Sequence, residues 1–128
     1  MTVLLDTHAL LWWWSRADLL SHRARATIRD PATTVLVSAA SAWEIATKTR
    51  IGKLPAGGQI LAAWQRRIDA DRFLELPVGW NHAIRAGGIR SEHRDPFDRM
   101  LAAQSVIEAV PVVSVDPAIS NLGADRIW

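Results

Sequence analysis

Three short apolar runs in this 128-residue chain fail to alternate: Val3-Leu4-Leu5, Thr33 to Ser38 (TTVLVS) and Val110 to Val115 (VPVVSV). A strand with one wet face alternates apolar and polar residues. A run that is apolar throughout is covered on both faces, as in a parallel sheet packed between helices. Arg72 to Leu76 and Arg126 to Trp128 read as two further strands. Helical patterns fill the intervals. Thr7 to Arg16 follows the first run directly, and Ser21 to Arg29 starts at a Ser N-cap and stops before Asp30-Pro31. Ala40 to Arg50 closes at Gly52, and Gln59 to Ala70 carries Ile60, Leu61, Trp64 and Ile68 at helical spacing. Val78 to Ala86 ends at Gly87-Gly88, and Phe97 to Ala109 is opened by Asp95-Pro96. Strands alternating with helices predict an α/β fold with a mainly parallel central sheet. No repeat, low-complexity tract or linker divides the chain, so residues 1–128 read as a single domain.

Composition removes several chemistries. The chain has no cysteine, hence no disulfide frame, no thiolate nucleophile and no Cys-ligated zinc. Its 4 histidines lack the H-x₃-H or H-E-x-x-H spacing of a zinc site. No Walker P-loop, G-x-G-x-x-G or G-x-S-x-G pattern occurs. No uncharged apolar run approaches the roughly 18 residues of a spanning helix. The opening stretch MTVLLDTHALLWWW carries Asp6 and lacks a basic n-region, so it does not read as a signal peptide. The expectation is a cytoplasmic protein without a membrane partner. Lys plus Arg number 15 against 13 Asp plus Glu, a net charge of +2. The pI is nonetheless about 9.9, a modest hint of a polyanionic partner.

The acids follow the strands. Asp6 ends the first run and Asp116 the third; Glu44 lies in an early turn of the helix after the second, and Asp98 opens the Ala-rich helix. Sites in open α/β sheets form beyond the carboxyl ends of the strands. If the strands are parallel neighbours, the four acids converge, and converging carboxylates repel one another unless protonated or bridged by cation. Hard oxygen ligands without His or Cys favour Mg²⁺, with Mn²⁺ the alternative. Each acid also has a plain structural use. Asp95-Pro96 and Asp116-Pro117 suit an N-cap followed by proline. Ser41-x-x-Glu44 matches a capping box, and Asp98 as third helical residue suits the helix dipole. Asp6 has no such necessity, since Thr7 could cap the first helix equally well. Asp98 shares its helix face with Leu101, Ala102 and Ser105, so it points inward and needs a partner or a metal.

Three blocks carry a resemblance: Leu5-Asp6-Thr7-His8-Ala9-Leu10-Leu11-Trp12, Ser38-Ala39-Ala40-Ser41-Ala42-Trp43-Glu44-Ile45, and His93-Arg94-Asp95-Pro96-Phe97-Asp98-Arg99-Met100-Leu101-Ala102-Ala103-Gln104, closed by Ser114-Val115-Asp116. Together they resemble PIN-domain proteins, specifically the VapC-type toxin branch of toxin–antitoxin systems. The resemblance implies a three-layer α/β/α fold and a Mg²⁺-dependent endoribonuclease. It implies that Asp6, Glu44, Asp98 and Asp116 form the metal-binding quartet. Asp95, Thr7, Ser38 and Ser114 fall beside the family site, and neither His93 nor Arg99 is carried over as catalytic. After Asp116, Pro117-Ala118-Ile119 departs from the bulkier apolar residue of many relatives. The implied partners are RNA, a cognate antitoxin and a second copy of the chain, within a larger toxin–antitoxin complex.

Trp12-Trp13-Trp14 cannot share one buried stripe, because successive helical residues are about 100° apart. Leu10, Leu11 and Trp14 form the expected core face. Trp12 and Trp13 then lean outward, either against the next helix or, with Trp64, as a surface for a partner chain. Arg23, Arg25 and Arg29, and Arg66, Arg67 and Arg72, read as solvated faces or as RNA-backbone contacts. Rival functions are an RNA-processing nuclease of the same fold, a non-catalytic RNA-binding module, and a phosphotransfer domain using Asp6. The last would want paired acids at the first strand and a late Lys, which are not seen.

Overall fold

The computed structural model describes residues Met1–Trp128. Five strands, β1 (Thr2–Leu5), β2 (Thr34–Ser38), β3 (Leu74–Leu76), β4 (Val112–Val113) and β5 (Arg126–Ile127), form one sheet in the order β3-β2-β1-β4-β5. Every pairing is parallel. The eight α-helices are α1 (Thr7–Ser15), α2 (His22–Arg29), α3 (Ala39–Arg50), α4 (Gly57–Ala62), α5 (Trp64–Asp71), α6 (Trp80–Gly88), α7 (Pro96–Glu108) and α8 (Ala118–Asn121). No helix is long and apolar enough to cross a membrane.

Side chains alternate across a strand, and here each face meets its own core. Val3 and Leu5 join Val35, Val37, Val113 and Ile127 on one face, under Leu10 of α1, Ala24 and Ile28 of α2 and Ile60 of α4. Leu4 and Val112 face the other way, against Leu101 and Ala102 of α7 and Ile119 of α8. This is the expected three-layer α/β/α architecture, and it explains the unbroken apolar runs. The chain steps outward from β1 through β2 to β3, then crosses back to place β4 on the other side of β1. The reversal between β1 and β4 is where such sheets leave a crevice at their carboxyl edge.

Several local expectations need correction. The stretch Gln59 to Ala70 is two helices, because the backbone leaves helical geometry at Ala63 (φ −98°, ψ 5°). Ala63 N–H still bonds Gln59 O and its carbonyl still accepts from Arg67 N, so the apolar spacing carries across the break. The third apolar run is a strand only at Val112–Val113: Pro111 has no N–H to offer, and the chain turns at Ser114, whose Oγ accepts from Asp116 N at 3.0 Å. The helix predicted from Val78 begins at Trp80 and runs through Gly88. The capping box at Ser41 and Glu44 does not form. The N-cap of α3 is Ser38, whose Oγ accepts from Ala40 N at 3.0 Å, which puts Ser41 and Glu44 inside the helix.

The segment entering α7 is held from α7 itself. The Arg99 guanidinium donates to the carbonyls of Ala86 (3.0 Å), His93 (2.9 Å), Ser91 (3.4 Å) and Ile89. The guanidinium spreads five N–H donors over three nitrogens, a span that the three donors on a single lysine nitrogen cannot reproduce. Arg99→Lys is therefore expected to lower the unfolding free energy by about 2–3 kcal/mol in urea melts; a loss within error would show that the clamp is not needed.

Candidate active site at the carboxyl edge of the sheet

Register builds the site. Leu5 is paired with Val37 on one side and Val113 on the other. The next residues, Asp6, Ser38 and Ser114, stand in a row across the carboxyl edge. Alternation turns all three toward the face that α7 covers. All three are buried.

Asp6 is the N-cap of α1. Its Oδ1 accepts from Ala9 N at 2.7 Å, so the cap belongs to Asp6 and not to Thr7. Thr7 is buried and donates to Ser41 Oγ at 3.0 Å, joining α1 to α3. Burial pushes the Asp6 carboxyl up to about 6. The Ser114 hydroxyl, the Ala9 N–H and the nearby His8 pull the other way, and the charge of Asp98 adds to the rise.

Asp98 stands at the third position of α7, above Leu101, Ala102 and Ser105, which are all buried. Its inward direction is as expected, and its partner is His93, whose Nε2 lies 2.9 Å from Oδ2. Burial raises the Asp98 carboxyl, the His93 hydrogen bond lowers it, and the charges of Asp95 and Glu44 raise it further. Asp6, Asp98, Glu44 and Asp95 thus share one electrostatic neighbourhood. Asp95 is the N-cap of α7; its Oδ1 accepts from Phe97 N (2.9 Å) and Asp98 N (3.2 Å).

Glu44 is buried on α3 and ion-paired with Lys48 one turn on. Asp116 differs from the other three predicted ligands. It is exposed, and its Oδ1 accepts from Ala118 N at 2.9 Å, closing the turn into α8. Its link to the row is indirect, through Ser114. Behind the row, fully buried Gln104 accepts from Ser38 Oγ at 2.5 Å and donates to Pro77 O at 3.1 Å. Sequence reasoning left Lys48, Gln104 and Ser41 without a site role and set His93 aside. The i+4 spacing of Lys48 from Glu44 was the one readable signal among them.

No three acids or histidines converge closely enough to enclose an ion on their own. The donor set still fits Mg²⁺, which is commonly held by one or two carboxylates with waters and substrate phosphates completing the shell. Asp6 and Asp98 offer hard-oxygen donors whose burial and mutual repulsion a cation would relieve.

The tryptophans are mostly absorbed by the fold. Trp12, Trp13, Trp14 and Trp64 are half-buried against the first core. The indole N–H groups of Trp13 and Trp14 both donate to Asp71 Oδ2, at 3.1 and 2.8 Å. Trp14 meets Trp64 edge-on at 5.4 Å, and the Arg67 guanidinium lies 5.6 Å from the Trp14 ring centre. Trp12, Trp13 and Trp64 therefore form no free-standing aromatic surface. The exposed aromatics are Trp43 and Trp80, together with Ile84 one turn beyond Trp80.

A doubly wound parallel sheet with buried carboxylates at its strand-order reversal defines the class. The PIN domain family model matches residues 3–125, and the chain belongs to that family. No curated protein sequence matches it. Among solved structures, the chain is similar to VapBC2 from Rickettsia felis bound to a promoter DNA fragment (TM-score 0.73, 12% identity, 99% of this chain and 98% of that one). It is also similar to VapBC-1 from nontypeable Haemophilus influenzae (0.69, 12%, 99% and 97%) and to FitAcB from Neisseria gonorrhoeae (0.62, 19%, 98% and 96%). At these identities the likeness is one of fold.

The raised Asp6 carboxyl links pH to stability. Its folded pKa, about 6, exceeds the unfolded value of 3.8, so the folded state holds the proton more tightly between them. In chelator, the contribution is present below about pH 4 and is lost as pH rises through about 6. Asp6→Asn keeps an N-cap and removes the buried charge. It is expected to raise stability at neutral pH by roughly 1–3 kcal/mol and to flatten that decline. Thermal melts from acid to neutral pH in chelator test this; an Asn variant less stable than the parent at neutral pH would contradict it.

Proposed function

We propose that the chain is a metal-dependent endoribonuclease acting as the toxin of a toxin–antitoxin pair. The observation that carries this reading is the approach of Asp6 and Asp98 beyond the ends of β1 and β4 in a PIN fold. The solved structures of similar fold are described as toxin–antitoxin complexes or as assemblies on DNA, which supports a cognate antitoxin as partner.

In this reading Asp6 and Asp98 hold Mg²⁺, or Mn²⁺, and the exposed Asp116 contributes from the rim. The bound ion supplies charge neutralisation at the phosphate and a lowered pKa for water. Glu44, across the site on α3, orients the attacking water and takes its proton, while Lys48 holds the Glu44 carboxylate in place. His93 sets the direction of Asp98. Thr7, Ser38 and Ser114 do not react; their hydroxyls fix α1, α3 and the β4 turn around the pocket. Asp95 serves by starting α7 where Asp98 faces inward. In this reading the activity is cytoplasmic, where RNA and a co-expressed antitoxin are both met. For pairing with antitoxin or a second copy, the exposed Trp80 and Ile84 on α6 are better suited than Trp12, Trp13 and Trp64.

Incubation of the purified chain with total RNA, with Mg²⁺ and with chelator, tests the reading. Cleavage is expected only with divalent cation, and Asp6→Asn and Asp98→Ala should abolish it while both variants remain folded. Expression should arrest growth and co-expression of the neighbouring reading frame should relieve it. Failure to cut under any divalent cation, or full activity in Asp6→Asn, would refute the assignment.

A further inference from the structure

Strand β5 brings an arginine into register with β4. Arg126 is paired with Val112, and Val112 with Leu4, so all three side chains leave the sheet on the α7 face, to which Asp6 and Ser114 also turn. Leu4 and Val112 point into the second core. Arg126 instead reaches along the sheet toward its carboxyl edge. Its Nη1 donates to Ser114 O at 3.0 Å and to Val115 O at 3.4 Å. The Ser114 hydroxyl serves Asp6 and receives Asp116 N, so the guanidinium is fixed to the turn that links these two acids. Bracing that turn does not account for the whole side chain. Arg126 belongs to no ion pair. Its Nε is the one buried side-chain polar atom of the chain without a hydrogen-bond partner. A buried donor left unpaired costs stability. Nη2 also lacks a partner and, unlike Nε, is open to solvent. Other cations beside the acids are committed: Lys48 to Glu44, His93 to Asp98, and Arg99 to four carbonyls. Arg94 is exposed at the entry to α7.

We propose that Arg126 is a substrate-contacting residue, whose free Nη2 donates to a non-bridging oxygen of a phosphate seated at the β4 rim of the site. This rests on the ribonuclease reading above and adds to it the cation that receives the phosphate. A pocket built from carboxylates repels a phosphodiester, and a fixed cation at its rim supplies the missing complementarity. A guanidinium suits the place better than an ammonium. It keeps its charge in any protein setting and is weakly hydrated, so it tolerates partial burial. It can hold the turn with one nitrogen while presenting another to the substrate. The two carbonyls on Nη1 fix the group before binding, so little side-chain freedom remains to be lost. With no carboxylate paired to it, its charge is available to an incoming anion. The buried Nε is then a local cost carried at a functional position, of the kind that folds offset elsewhere.

The test is Arg126→Gln, which keeps an N–H donor for the turn and removes the charge. Cleavage of RNA with Mg²⁺ is expected to lose about 10- to 150-fold in kcat/KM, the range for a hydrogen bond to a charged group. Equilibrium binding of a labelled RNA is measured in the Asp6→Asn background, where the strand stays intact. There Arg126→Gln should lower the salt dependence of binding by about one phosphate contact, and Arg126→Lys should restore it. Arg126→Met, which keeps the stem and carries no charge, repeats both measurements should the Gln variant fold poorly. Arg94→Gln removes an equal charge from an exposed side chain and should change kcat/KM far less. Equal losses in the Arg94 and Arg126 variants would reveal a diffuse field without a contact and overturn the proposal. A lower melting temperature with the salt dependence and kcat/KM of the parent would make Arg126 a brace only, and overturns it as well. If Arg126→Gln cleaves normally but escapes inhibition by co-expressed antitoxin, the cation belongs to the protein partner and the proposal again fails. A parent chain that cleaves while Arg126 proves neutral removes only this contact; a parent chain that neither binds nor cuts RNA removes the ribonuclease reading with it.

Discussion

Parallel pairing on both edges of β1 is the constraint from which the site follows. Leu5 is held level with Val37 and Val113, so the three residues that come next stand level too. Side chains reverse face at every step of a strand, and a slip of one residue would send Asp6 into the apolar core beneath α1 and α2. The registered ladder, not any contact of Asp6 itself, decides that a carboxylate appears at the α7 face. Because the strand order reverses between β1 and β4, no crossover helix closes over that point.

The pocket is held together against its own electrostatics. Asp6 and Asp98 are raised by burial and by neighbouring acids, and each receives less compensation than a carboxylate would find in water. Ala9 N–H and Ser114 serve Asp6, His93 serves Asp98, and Lys48 serves Glu44. Each partner offsets part of the burial and repulsion felt by its own acid. Folds tolerate such local conflict where chemistry is done and offset it elsewhere. Here the offset lies in two apolar cores and in the Arg99 clamp behind His93.

Much of this was legible in the residues because it rests on short-range rules. Unbroken apolar runs reported strands covered on both faces, and the acids at their ends reported the functional edge. The Asp98, Leu101, Ala102, Ser105 spacing reported an inward carboxylate. What stayed hidden depends on distant pairings or on a choice between equal local signals. Ser38 and Ser41 are both credible N-caps, and only the end of β2, set by pairing with β1 and β3, selects Ser38. Trp13 looks outward-leaning and Trp14 core-facing until α5 brings Asp71 beneath both indoles, 58 and 57 residues further along. Asp116 follows its strand as Asp6 does, yet the chain turns at Ser114 and leaves the side chain in solvent. The break at Ala63 is invisible to periodicity because the flanking hydrogen bonds carry the helical phase across it.

The double hydrogen bond from Trp13 and Trp14 to Asp71 has a mechanical meaning. Helix α1 is about 13 Å long at 1.5 Å per residue. One end is anchored by Asp6 at the sheet edge and the other by two indoles on a single carboxylate oxygen. It resembles a beam held at both supports, with contacts at each end that resist tilt and roll. Freeing the distant support would leave every atom around Asp6 in place chemically while letting the carboxylate swing with the helix. The aiming of Asp6 is therefore shared with Asp71 of α5, which stands at the opposite end of α1 and outside the site.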